Sequence, residues 1–143
     1  MHKVEELNLT AKGKSIEMAF SNIAVKMFSI VTDTEKINER INRTLMLRSR
    51  DLKNLLYLYL RKLFDLANTE LFLLKEIKDI KIETINEEYL LTAVASGDKF
   101  NKEYELKDIV KLITERNIFI KEDLNGANLQ ITLIIERKNT DEK

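Results

Sequence analysis

The sequence predicts an α+β fold, with two amphipathic helices packed on a largely antiparallel or mixed β-sheet system. Two stretches repeat apolar residues at helical spacing, and about seven others alternate or are rich in β-branched residues. The order is strand, helix, strand, helix and then about five strands, which fits an α+β domain. The 143 residues, 44% hydrophobic and 34% charged, suit one core under a heavily charged surface. No repeat, low-complexity tract or Pro/Gly-rich linker divides the chain, so residues 1–143 read as one domain with a frayed tail at Lys138 to Lys143.

Val4 to Ala11 alternates, with Leu7, Leu9 and Ala11 on one side and Glu6, Asn8 and Thr10 on the other, as in a half-buried strand. Gly13 breaks it. Ser15 is a good N-cap, Glu17 suits the first turn, and Ile16, Ala19, Phe20, Ile23, Ala24, Met27 and Phe28 form the stripe of a helix of about four turns. Ile41 to Arg48 is the second strand. A second helix, capped by Ser49 or Asp51, runs to about Ala67 through Leu52, Leu55, Leu56, Tyr59, Leu60, Leu63 and Phe64. Tyr57, Leu58 and Leu66 make it apolar on more than one face. It should therefore be covered on two sides, by the fold itself or by another chain. Ile77 to Ile85, Tyr89 to Ala95, Ile109 to Thr114, Asn117 to Lys121 and Leu129 to Glu136 are strand-like, and Asn125-Gly126 marks a hairpin.

Composition excludes several functions. Without Cys, thiol chemistry and a Cys-rich zinc site are impossible. With 24 basic against 24 acidic residues, there is no bulk attraction to nucleic acid or an anionic membrane. The longest apolar run, Leu55 to Leu60, is far short of the ~20 residues of a spanning helix. Met1 to Thr10 carries no apolar signal region, so a cytoplasmic protein is expected. There is no phosphate-binding glycine loop, and the single histidine, His2, sits at the terminus. Arg40, Arg43, Arg48, Arg50 and Lys53 are diluted by Glu35, Glu39 and Asp51 and have no interleaved aromatic, which describes a solvated surface better than an RNA site. Two carboxylates are unusually placed: Glu6 on the polar side of the first strand and Glu136 at the end of the apolar run Ile131 to Ile135. If those strands are neighbours, both could converge on a hard cation.

Taken in order, the segments resemble the archease family. Leu7 to Thr34, "LNLTAKGKSIEMAFSNIAVKMFSIVTDT", is similar to the family's strand, glycine turn and helix. Asp51 to Phe72, "DLKNLLYLYLRKLFDLANTELF", resembles its second helix. Ala95-Ser96-Gly97-Asp98-Lys99-Phe100 is similar to "ARGExf", Ile109 to Thr114 to "xVKAvT", and Leu133 to Glu136 to the terminal "viiDi". The resemblance spans roughly residues 3 to 136. It implies a small α+β protein, not itself an enzyme, that activates the RNA ligase joining 2′,3′-cyclic-phosphate or 3′-phosphate ends to 5′-hydroxyl ends. Such a protein promotes the ligase's guanylylation and multiple turnover in tRNA splicing and RNA repair.

By position, the resemblance assigns metal ligation to Glu6 and Glu136 and a functional role to Lys111. The implied cofactor is a divalent cation, calcium first, with magnesium or manganese as alternatives. The implied partner is the RNA ligase, with no strong direct nucleic-acid contact and a homo-oligomer open. The sequence departs from the family pattern at this site. Both metal-binding Asp residues are Glu, "HTAD" reads Lys3-Val4-Glu5-Glu6, and an acidic residue of the second helix is Lys62. The "Tyr-His" after "VKAvT" reads Glu115-Arg116, and the chain continues past Glu136 to Lys143. These departures motivate an alternative, a protein-binding or chaperone-like module of the same fold without metal. An autonomous metal-dependent hydrolase would rest on the paired carboxylates alone.

Overall fold

A computed structural model of the chain describes residues 3–138. His2 and residues 139–143 of the expected tail lie outside the described residues, while Lys138, expected to fray, is bonded to Asp108 and to the Leu106 carbonyl. The order is β1 (Lys3–Gly13), α1 (Ile16–Val31), a 3₁₀ turn (Thr34–Lys36), β2 (Ile41–Ser49), α2 (Leu52–Glu70), β3 (Phe72–Ile85), β4 (Glu88–Lys99), β5 (Ile109–Ile113), β6 (Phe119–Asp123) and β7 (Gly126–Arg137). The α+β architecture is as predicted, with every strand pair among these antiparallel.

The strands form two sheets. In the first, β7 is central, with β1 along one side and β6 and β5 end to end along the other; the second is ordered β2-β4-β3. The helices lie between them, α1 against β1, β7 and β3, and α2 against β2, β3 and β4 on one side and β5 and β6 on the other. This accounts for the apolar breadth of α2: its second cover is the other sheet.

Ser15 caps α1 by accepting from the Met18 N–H (3.1 Å), and the seven buried residues of α1 are the predicted stripe. Asp51 caps α2 through the Lys53 N–H (3.1 Å); Ser49 instead accepts from the Asp51 N–H and from Asn54. The Tyr59 hydroxyl, wholly buried, donates to the Phe20 carbonyl (2.9 Å) and ties α2 to α1.

Several boundaries differ from the sequence reading: β4, expected over Tyr89 to Ala95, runs on to Lys99, and β7, expected from Leu129, begins at Gly126. α2 continues to Glu70 and ends on Leu71, which takes the left-handed conformation usually given to glycine (φ 59°). β3 begins at once, five residues before the expected Ile77, because Phe72, Leu73 and Leu74 read equally well as helix or buried strand. β6 is displaced two residues toward its turn, whose central residues are Leu124 and Asn125, with Gly126 opening β7 at φ +133°. The β3–β4 hairpin turns on Asn86-Glu87, both at positive φ, a type I′ turn without glycine.

At Gly97 of β4 there is no room for a side chain, since a Cβ would lie 2.0 Å from the Leu73 carbonyl oxygen of β3. Next to it, Asp98 is buried and holds the segment 100–108. Its carboxylate accepts from the Tyr104 hydroxyl (2.6 Å), Arg40 (3.0 Å) and the Lys99 N–H (2.8 Å). Tyr104 in turn accepts from the backbone and side-chain N–H groups of Asn38, each at 3.1 Å. The Tyr104 hydroxyl, then the backbone and Arg40, hold the Asp98 pKa below its ordinary value against the opposing effect of burial.

Candidate functional site

The inner face of the first sheet carries Leu9, Ala11, Leu129, Ile131, Leu133 and Ile135 into the core, so the alternate residues face outward. Val4 pairs with Glu136 and Glu6 with Ile134. Directly opposed residues share a face, so Glu6 and Glu136 are diagonal neighbours on the outer face, about 7–8 Å apart along the backbone. The structure therefore brings together the two carboxylates singled out by the sequence.

Lys111 joins them through a bulge. In β5, Ile109 and Val110 pair with Glu136 and Ile135, but the next pair is Leu112 with Ile134, so Lys111 is the extra residue. Bulges re-aim side chains, and here the Lys111 ammonium lies 3.4 Å from the Glu136 carboxylate. The side chain of Glu136 is only 16% exposed, the most enclosed of the group.

Arg116 was not anticipated. Thr114 donates its hydroxyl to the Thr132 carbonyl (2.7 Å) and accepts from the Arg116 N–H (3.2 Å), while Gln130 donates to the Asn117 carbonyl (3.2 Å). These bonds lay the β5–β6 turn against the outer side of β7. Arg116 thereby reaches Glu6 on β1 at 2.9 Å. The sequence signal was present: Arg116 stands at the family's His position. Below the pair, the buried Thr132 hydroxyl donates to Asn8 (2.9 Å) and accepts from Asn117 (3.4 Å).

The corner thus consists of two carboxylates matched by two cations, interleaved with exposed Val4, Ile109 and Leu112. Calcium takes six to eight oxygen ligands. Among the described residues no group of three or more His, Asp or Glu is placed to hold a metal, and each carboxylate already touches a cation. The described donors fit a divalent ion poorly. The Arg116–Glu6 pair is more than half exposed on both sides, and such a surface pair contributes about 0–1 kcal/mol, so it resists displacement only weakly.

Other expected features lie apart. Arg40, Arg43, Arg48 and Arg50 each pair with a carboxylate, those of Asp98, Glu70, Glu88 and Glu88 respectively. Lys62 is exposed on α2. Among the described residues no helix is long and apolar enough to cross a membrane.

Fold and corner together define a two-sheet, two-helix α+β protein whose polar site lies on an open sheet face. The profile of the archease protein family matches residues 6–135. The chain is 30% identical over 131 residues to protein archease of Methanosarcina barkeri, covering 91% of this chain and 90% of that one. It is 33% identical over 132 residues to protein archease of Saccharolobus islandicus, with 92% and 91% covered. The solution structure of protein 1598 from Methanobacterium thermoautotrophicum superposes with a TM-score of 0.80 at 26% identity, covering 92% of this chain and 96% of the other. The chain belongs to the archease family.

Proposed function

We propose that this protein is a non-catalytic activator of the RNA ligase that joins cyclic-phosphate or 3′-phosphate RNA ends to 5′-hydroxyl ends, promoting its guanylylation and turnover. The observation that carries this reading is the convergence of Glu6, Glu136 and Lys111 on one outer corner. Family membership over residues 6–135 supports it, and the sequence resemblance expects the working residues at these three positions. The two ion pairs make the corner a neutral, directional hydrogen-bonding surface, suited to docking on a charged protein partner.

A second reading has the corner binding calcium, magnesium or manganese, with Glu6 and Glu136 as ligands after Lys111 and Arg116 swing aside. The placement of both carboxylates on one face favours it, and the ion pairs oppose it. Joining of cyclic-phosphate RNA by the cognate ligase, with and without this protein, tests the activator role; unchanged joining would sink it. Calorimetric titration with the three cations separates the two readings. Heat that vanishes in Glu6→Ala and Glu136→Ala supports ligation, and silence supports the ion-paired corner.

A further inference from the structure

We propose that the apolar cavity beside this corner is a second anchor point for the ligase, accepting a bulky aliphatic or aromatic side chain from an acidic segment of that partner. The inference rests on the activator reading and extends it to a surface that reading does not use. The cavity, about 500 Å³, opens where the C-terminal ends of α1 and α2 meet the 100–108 segment and the start of β5. That volume is within the range of ligand-sized clefts, about 300–1,000 Å³. Its apolar wall includes Val31, Phe64, Ala67, Leu71, Leu106 and Ile109. Leu71, Leu106 and Ile109 are 48, 39 and 44% exposed, a cost for an unpartnered surface and the usual composition of a pocket that receives an anchor residue.

Continuity and charge identify the occupant. Ile109 lines the cavity and pairs directly with Glu136 in the sheet, and Lys111, two residues on, contacts the same carboxylate. A partner lying on the corner therefore reaches the cavity by crossing one short strand. The rim carries Lys107, Lys138 and Asp108. The Asp108 carboxylate is occupied by Arg137 (3.2 Å) and by the Lys138 N–H (2.9 Å), and the Lys138 ammonium is fixed at the mouth by the Leu106 carbonyl (2.6 Å). The mouth is net basic, so it favours an anchor flanked by Asp or Glu.

The test is RNA joining by the cognate ligase, measured as the concentration of this protein is raised. Two substitutions probe the cavity: Ala67→Phe fills it from α2, and Lys107→Glu reverses the rim charge at an exposed position that does not risk the fold. Each is expected to raise the half-saturating concentration by about tenfold, the usual scale for losing an anchor contact, while stimulation at saturation stays at the wild-type level. Glu136→Ala should instead lower the maximum. An unchanged half-saturating concentration in both cavity variants, with Glu136→Ala impaired, overturns this inference and leaves the activator reading standing. If the wild type gives no stimulation, direct binding to immobilised ligase decides: cavity-dependent binding keeps the anchor, and no binding removes it along with the activator reading.

Discussion

Tyr104→Phe removes one oxygen atom from the buried clasp that holds the 100–108 segment. The Phe ring would keep the packing against Ile37 and Leu73. What is lost is a 2.6 Å hydrogen bond to the Asp98 carboxylate and the acceptor for two Asn38 N–H groups. A hydrogen bond to a charged group contributes about 1.5–3 kcal/mol. For a chain of this size, that corresponds to a fall in Tm of about 5–10 °C. The effect should depend on pH. The folded pKa of Asp98 lies below its ordinary 3.8, chiefly because of Tyr104, so near that value the unfolded state binds more protons. The contact's stabilisation is complete above about pH 5 and is lost as pH falls through the folded value. The gap in Tm between wild type and Tyr104→Phe, followed by circular dichroism from pH 7 downward, should therefore be widest near neutrality and narrow in acid. Equal Tm values at pH 7, or a gap that does not narrow, would mean that the Tyr104–Asp98 contact does not stabilise the fold in this way. The segment that the clasp holds also forms one wall of the cavity and leads into β5.

Three further predictions follow from particular contacts. Gly97→Ala should cost about 3 kcal/mol or more in a denaturant titration, since its Cβ would meet the Leu73 carbonyl at 2.0 Å and β3 would have to move off β4. Glu6→Ala and Arg116→Ala should each shift the same titration by less than about 0.5 kcal/mol, because the pair is half exposed; a larger loss would make the pair a structural element and not a site. The double substitution Asn22→Ala with Lys26→Ala frees the Thr10 and Lys12 carbonyls on the open edge of β1 (2.8 and 2.7 Å in the native chain). It should promote association on heating, read by light scattering, since unpaired strand edges template pairing.

Periodicity made both helices legible: the buried set of α1 is the predicted stripe residue for residue, and only Leu66 joins that of α2 from outside the predicted one. Alternation in β1 separated Leu9 from Glu6 correctly, and with β7 as neighbour that phase was enough to bring Glu6 and Glu136 to one face. What was not legible depended on nonlocal or unusual backbone. Leu71 ends α2 in a conformation its side chain does not advertise, so the sequence placed neither the last turn of α2 nor the start of β3 at Phe72. The sheet partition is set by which edges meet, and composition carries no trace of that. Arg116 reaches Glu6 only because the β5–β6 turn bonds to β7, and Asp98 and Tyr104, six residues apart, meet only once that segment has folded back.

In the proposed function, the corner of Glu6, Glu136 and Lys111 acts on a ligase. The most direct measurement is the amount of guanylylated ligase formed per unit time in the presence of wild type and of Glu136→Gln, which keeps the side-chain shape and loses the charge that Lys111 contacts. The wild type should stimulate the reaction, and Glu136→Gln should lose that stimulation by tenfold or more at saturating concentration. Equal stimulation by the two proteins would contradict that function.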